Sequence, residues 1–142
     1  MDKPIAGYGF FIKRIDNALE KEANQNLQNL NLTMQQNRVL IHLAHAEEGT
    51  LSLKTLEEHF GAAQSTVAGL VSRLEKKGLV EAGSDPGDRR VKLVRLTAEG
   101  AALHARGRQM VLASEERLTM HLSPEEQEIF LSCLKKVYEA VK

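Results

Sequence analysis

The spacing of the apolar residues changes period at Gly78, and that change limits the folds open to this chain. Before it, Val67, Leu70, Val71 and Leu74 recur at three and four residues, the period of a helix with one inward face, running from Gln64 to Lys77. Gly78 supplies a helix stop. After it, Leu79 to Ala82 and Val91 to Leu96 are short extended stretches, the second with Lys92 and Arg95 interleaved. Between them Gly83-Ser-Asp-Pro-Gly-Asp88 concentrates turn formers, so the two stretches read as a hairpin with a long tip.

Upstream, Ser52 caps a short helix with Leu53, Leu56 and Phe60 at i, i+3 and i+7, and a turn at Gly61 and Ala62 leads into the helix from Gln64. Two helices joined by a tight turn and followed by a β-hairpin make a winged helix-turn-helix, whose second helix is shaped to enter a DNA major groove. Helices flank this unit. Residues 5 to 28 carry Phe11, Ile12, Ile15 and Leu19 at helical spacing, fading into an Asn/Gln-rich stretch from 24 to 31. Thr33 with Gln36 resembles a capping box that opens a helix through Leu40, Leu43 and Ala44, ending near Gly49. Thr97 caps a helix reaching about Leu118, and Ser123-Pro-Glu-Glu126 opens the last one. The expected fold class is mainly α with a small β-hairpin wing.

With 142 residues, one domain is expected over 1–142. Hydrophobic residues at 42% and charged ones at 27% exclude disordered, collagen-like and disulfide-rich classes. The lone Cys133 forms no internal disulfide, and neither a signal peptide nor an 18-residue apolar run is present, so a cytoplasmic protein with no membrane partner is expected. Nineteen Lys and Arg cancel nineteen Asp and Glu. Yet from Gln64 to Arg95 seven basic residues stand against four acidic ones, so the positive excess lies where DNA would lie. Aromatic residues at 4% and no Trp leave base-stacking platforms poorly supplied, which favours double-stranded DNA over single strands.

Off the apolar stripe of the second helix lie Gln64, Ser65, Thr66, Gly69, Ser72 and Arg73, whose small polar groups suit base edges or phosphates. At the wing Asp88, Arg89, Arg90 and Lys92 follow a Pro/Gly-shaped turn, and an arginine there can enter a narrow, electronegative minor groove. These ten residues are the expected DNA-binding set. The apolar faces of the terminal helices need a partner surface, which points to a homodimer.

The runs Leu74-Glu-Lys-Lys-Gly-Leu-Val80, Asp85-Pro-Gly-Asp-Arg-Arg90 and Leu96-Thr97 followed by Glu99-Gly100 resemble the MarR family of bacterial transcriptional regulators. The resemblance extends over most of the chain, and Asp88-x-Arg90 is its most specific part. It implies a homodimer whose first and last helices interlock, 5–30 and 100–142 here, around a DNA-binding lobe at 34–97 that reads a pseudo-palindromic operator. It casts Arg90 as the minor-groove arginine, Asp88 as the carboxylate that orders it, and Ser65, Thr66 and Arg73 as groove or phosphate contacts. Ala82 stands where members often carry an arginine that braces the wing base, and Gly69 gives no side chain at a position that can read bases. The resemblance also implies a phenolic or other anionic effector between the dimer seam and the lobe, with Lys13, Arg14, His42 and Arg106 as its expected partners. Peroxide-sensing relatives carry a reactive cysteine in the first helix, where this chain has none.

Other chemistry finds little purchase. His42 and His45 lie three apart on one helix, but no HxxxH, CxxC or HExxH motif occurs, so no metal site is expected. Cys133 falls within the apolar repeat of the last helix and is expected to pack inertly. Ala101, Leu103, Met110, Ile129, Leu134, Val137 and Val141 read as core or dimer-seam residues. There is no GxSxG, phosphate loop or Rossmann fingerprint, so neither catalysis nor a cofactor is expected. The rival reading is a winged-helix module that contacts other proteins and binds no DNA.

Overall fold

A computed structural model describes residues 6–61 and 64–142. Ile5, expected in the first helix, and Ala62, expected in the inter-helix turn, lie outside the described residues. The elements are α1 (Tyr8–Asn29), α2 (Met34–Ala44), a 3₁₀ turn (Glu47–Gly49), β1 (Thr50–Ser52), α3 (Leu53–Phe60), α4 (Gln64–Lys76), β2 (Val80–Asp85), β3 (Asp88–Leu96), α5 (Ala98–Leu118) and α6 (Pro124–Val141). Met1–Gln109 and Met110–Lys142 form two compact units. Among the described residues no helix is long and apolar enough to cross a membrane.

Local chemistry sets the boundaries. The Thr33 hydroxyl accepts from the Gln36 N–H at 3.1 Å while the Gln36 amide oxygen accepts from the Thr33 N–H at 3.2 Å, a reciprocal cap that starts α2. Ser52 starts α3 by accepting from the Thr55 N–H at 3.0 Å, and the same reciprocal cap recurs between Ser123 and Glu126 at α6. At the end of α4 the Leu79 N–H reaches back to the Leu74 carbonyl at 3.0 Å and the Gly78 N–H to Glu75 at 2.9 Å, with Gly78 at φ +76°. This is a Schellman stop, and it requires the left-handed conformation that glycine adopts freely.

The three strands form one antiparallel sheet in the order β1-β3-β2. Two features depart from expectation. β1 is absent from the sequence reading, because three residues pairing Thr50 with Arg95 and Ser52 with Leu93 are too short to show a period. The hairpin tip is short rather than long: Gly83 and Ser84 pair with Leu93 and Lys92, and Asp85 opposes Asp88 across Pro86-Gly87. Ladder bonds override the turn preference of Gly83 and Ser84, while the Asp85 carboxylate accepts from the Gly87 N–H at 2.8 Å and fixes the tip.

In the first unit, Val39, Leu40 and Leu43 of α2, Leu56 of α3, Val67 and Leu74 of α4, and Val80 and Val94 of the sheet are completely buried. Each such leucine stabilises the fold by about 2 kcal/mol. The terminal helices differ. No residue of α1 or α6 is buried, and Phe11, Ile12, Leu131, Leu134 and Val137 stand exposed. Of the residues read as core or seam, Ile129, Leu134, Val137 and Val141 are therefore not core of this chain. Cys133 is also exposed rather than packed, as are the α6 residues on either side of it.

Gly100 marks the tightest approach. A Cβ built there would run into the Leu79 carbonyl oxygen and the Leu96 side chain. Helix propensity alone would favour alanine by about 1 kcal/mol. We expect Gly100→Ala instead to destabilise the protein by about 1 to 3 kcal/mol, because overpacking against backbone outweighs propensity. Urea unfolding midpoints check the sign.

Candidate nucleic-acid interface

Burial of Val67, Leu70, Val71 and Leu74 turns the opposite face of α4 outward, so Gln64, Ser65, Thr66, Ser72 and Arg73 are exposed and Gly69 is half-buried. Ser65, Thr66, Gly69 and Arg73 line one cleft of about 340 Å³, together with Gln35 and Arg38 of α2 and Phe60 of α3. Ser72 and Lys92 line a second, between α4 and the sheet. Of the six expected α4 residues, four therefore line the first cleft and Ser72 the second, while Gln64 lines neither of the two.

Arg38 was missing from the sequence-derived set. Its guanidinium lies 4.4 Å from the Phe60 ring centroid and donates to the Gln35 side-chain oxygen at 3.0 Å, which holds a cation at the cleft beside Thr66 and Arg73. The available signal was a lone arginine off the apolar stripe of α2.

At the wing tip Arg90 is bound along one edge of its guanidinium by both carboxylate oxygens of Asp88. Its Nε donates to Oδ1 at 3.1 Å, its Nη2 to Oδ2 at 3.2 Å, and its backbone N–H also reaches Oδ1. The Arg90 side chain and then its N–H hold the Asp88 carboxyl below its usual pKa. Arg90 nonetheless stays 90% exposed, so the guanidinium is oriented without being hidden. Arg89 is exposed beside it. Ala82 leaves no arginine at the wing base, and two other contacts brace it: the Ala82 N–H donates to the Glu75 carboxylate at 3.1 Å, and Arg95 pairs with Glu81 at 2.9 Å.

Of the residues expected around an effector, Arg14 lies 4.7 Å from the Phe10 ring on its own helix, whereas His42 faces His59 and Phe60 of α3, a different neighbourhood. Lys13 and Arg106 are exposed. His42 and His45 separate into different pairs. His42 Nδ1 lies 3.2 Å from His59 Nδ1, and the His45 ring meets that of His104 at 6.1 Å.

A helix-turn-helix followed by a two-stranded wing, with basic and small polar groups along its exposed face, defines a winged-helix protein. A sequence model of the MarR family matches residues 30–91. The transcriptional regulator HosA of Escherichia coli O111:H- is 33% identical over 97 residues, covering 68% of this chain and 72% of that protein. The uncharacterized HTH-type transcriptional regulator YfiV of Bacillus subtilis is 34% identical over 120 residues, 80% of this chain and 71% of its own length. Among solved structures, the S. aureus MepR–DNA complex aligns with a TM-score of 0.83 at 25% identity over 95% of this chain and 100% of that one. Wild-type apo MarR from E. coli aligns at 0.72 with 28% identity, over 95% and 98% of the two chains. The chain belongs to the MarR family.

Two outcomes are expected from this geometry. A Cβ at Gly69 meets nothing within 4 Å, so Gly69→Ala should stabilise α4 by about 0.5 to 1 kcal/mol while placing a methyl group in the cleft. Thermal unfolding measures the gain. His42 and His104 have lowered pKa values, first from burial, then from His59, Arg38 and His45 around His42 and from His45 and Arg108 around His104. The unfolded chain therefore binds their protons more readily. Stability should be full above about pH 6.5 and fall as the pH drops through the folded values. Urea midpoints from pH 8 down to pH 5 should decline, less steeply in His42→Gln/His104→Gln.

Proposed function

We propose that this protein is a sequence-specific, duplex-DNA-binding transcriptional regulator that reads a pseudo-palindromic operator as a homodimer and performs no catalysis. With DNA as its partner it acts in the cytoplasm. The observation that carries the reading is Arg90: a guanidinium fixed along one edge by both oxygens of Asp88 yet 90% exposed at a two-residue wing tip. Its orientation is set before binding, which lowers the ordering cost of entering a narrow minor groove. α4 supplies the complementary half. Thr66 and Ser65 offer hydroxyl groups to base edges, and Arg73 and Arg38 offer cations to phosphates. The solved MepR–DNA complex and the regulator HosA support the assignment by similarity.

In this reading residues 34–97 read DNA and the terminal helices dimerise. The exposed apolar residues of α1 and α6 support it, because surfaces of that kind on a soluble chain mark an interface. An anionic effector, with Lys13, Arg14, His42 and Arg106 as candidate partners, would act by its differential affinity for two spacings of the reading helices.

The test is a mobility shift on genomic fragments across a salt series, followed by two variants on the recovered operator. Arg90→Ala should cost about 1 to 3 kcal/mol on all duplexes with a narrow minor groove at the wing position and flatten the salt dependence. Thr66→Ala should change which half-site bases are preferred and leave the salt slope nearly unaltered. Wild-type affinity and base preference in both variants would place the DNA-binding surface elsewhere.

A further inference from the structure

The histidine pair between α2 and α3 has no part in DNA reading as described above, and its geometry is specific. The two Nδ1 atoms stand 3.2 Å apart, on rings with centroids separated by 4.6 Å and inclined by 53°. Imidazole nitrogens bind Zn²⁺ at about 2.0 to 2.1 Å, and two of them at a near-tetrahedral angle lie about 3.3 Å from each other. We propose that His42 and His59 form a two-imidazole site for a borderline transition-metal dication such as Zn²⁺, joining α2 to α3.

Several observations fit this site. His59 is exposed and His42 half-buried, so an ion has access and open coordination positions remain in water. Among the described residues no third His, Cys, Asp or Glu converges there, so the remaining ligands are solvent and binding is moderate and exchangeable. Burial, followed by the charges of His59, Arg38 and His45, lowers the His42 pKa from its ordinary value. Arg38, which contributes to that effect, also opposes a dication and lowers affinity further. Imidazole donors select Zn²⁺, Ni²⁺ or Cu²⁺ over Mg²⁺ and Ca²⁺. A bound ion would clamp α3 to α2 beside Phe60, the ring on which Arg38 rests. The sequence reading, confined to spacing along one helix, paired His42 with His45 and so did not contain this site.

A simple N–H···N hydrogen bond gives a similar distance, but it needs one ring protonated at Nδ1, whereas a metal needs both rings protonated at Nε2 only. The experiment is calorimetric titration of tag-free protein with ZnCl₂ in excess Mg²⁺ at pH 7.5, with His42→Gln, His59→Gln and His45→Gln. One micromolar site per chain is expected, weakened at least about tenfold in the first two variants through loss of chelation and retained in the third. Nitrogen-15 spectra of the imidazoles should show both rings with metal-shifted Nδ1. His59 is exposed, so its variant keeps the test valid should His42→Gln unfold. Wild-type-like titration of His59→Gln, absence of binding at millimolar Zn²⁺, or one ring still protonated at Nδ1 in saturating Zn²⁺ would overturn the proposal.

Discussion

The left-handed turn at Gly78 holds α4, the wing and α5 to one another. Its carbonyl accepts from the Thr97 hydroxyl at 2.7 Å, and the Thr97 N–H donates to Leu79 at 3.1 Å, so the start of α5 is fastened to the end of α4. The same Thr97 hydroxyl accepts from the Gly100 N–H and caps α5. One turn earlier, Glu75 carries the Ala82 N–H of the wing. Next to the glycine, the Lys77 ammonium donates to the Asn31 carbonyl and to the buried Gln36 amide, tying α4 to the corner between α1 and α2. A side chain at 78 would be strained by its φ of +76° and would meet the Glu99 carboxylate.

That arrangement explains what was legible in the sequence. Caps at Thr33, Ser52, Thr97 and Ser123 work through contacts within three residues, and the apolar stripe of α4 repeats often enough to reveal its buried face. Local chemistry of this kind is visible in one dimension. β1 was not visible, since three residues derive their state from pairing with β3, more than forty positions away. The wing tip was misjudged for the same reason: Gly83 and Ser84 are turn formers in isolation and strand residues once Leu93 and Lys92 pair with them. Within the candidate site, the α4 and wing residues were legible because they lie off an apolar repeat or on a turn. Arg38 and the His42–His59 pair were not, because the groups that give them meaning, Phe60 and the opposing imidazole, come from another helix.

The two ends of the chain follow a different economy from the middle. From α2 to β3, leucines and valines reach complete burial within one polypeptide. Along α6, by contrast, Phe130, Leu134, Val137 and Tyr138 are exposed in the single polypeptide, and the local support for the helix is the Ser123–Glu126 cap and the backbone ladder. An isolated helix of 18 residues is marginal on such terms, so the order of α6 depends on whatever covers it.

The Asp88–Arg90 pair changes how the wing is perceived from a distance. A guanidinium that carries its own carboxylate is, several ångströms away, a dipole and not a point charge, and its field dies off faster than that of a lone cation. In the proposed reading, exposed cations such as Arg73, Lys76 and Arg89 contribute the long-range attraction to a polyanion, while Arg90 acts chiefly at contact. On that reading encounter and recognition fall to different side chains, and a duplex that does not fit the tip feels little of Arg90 from a distance.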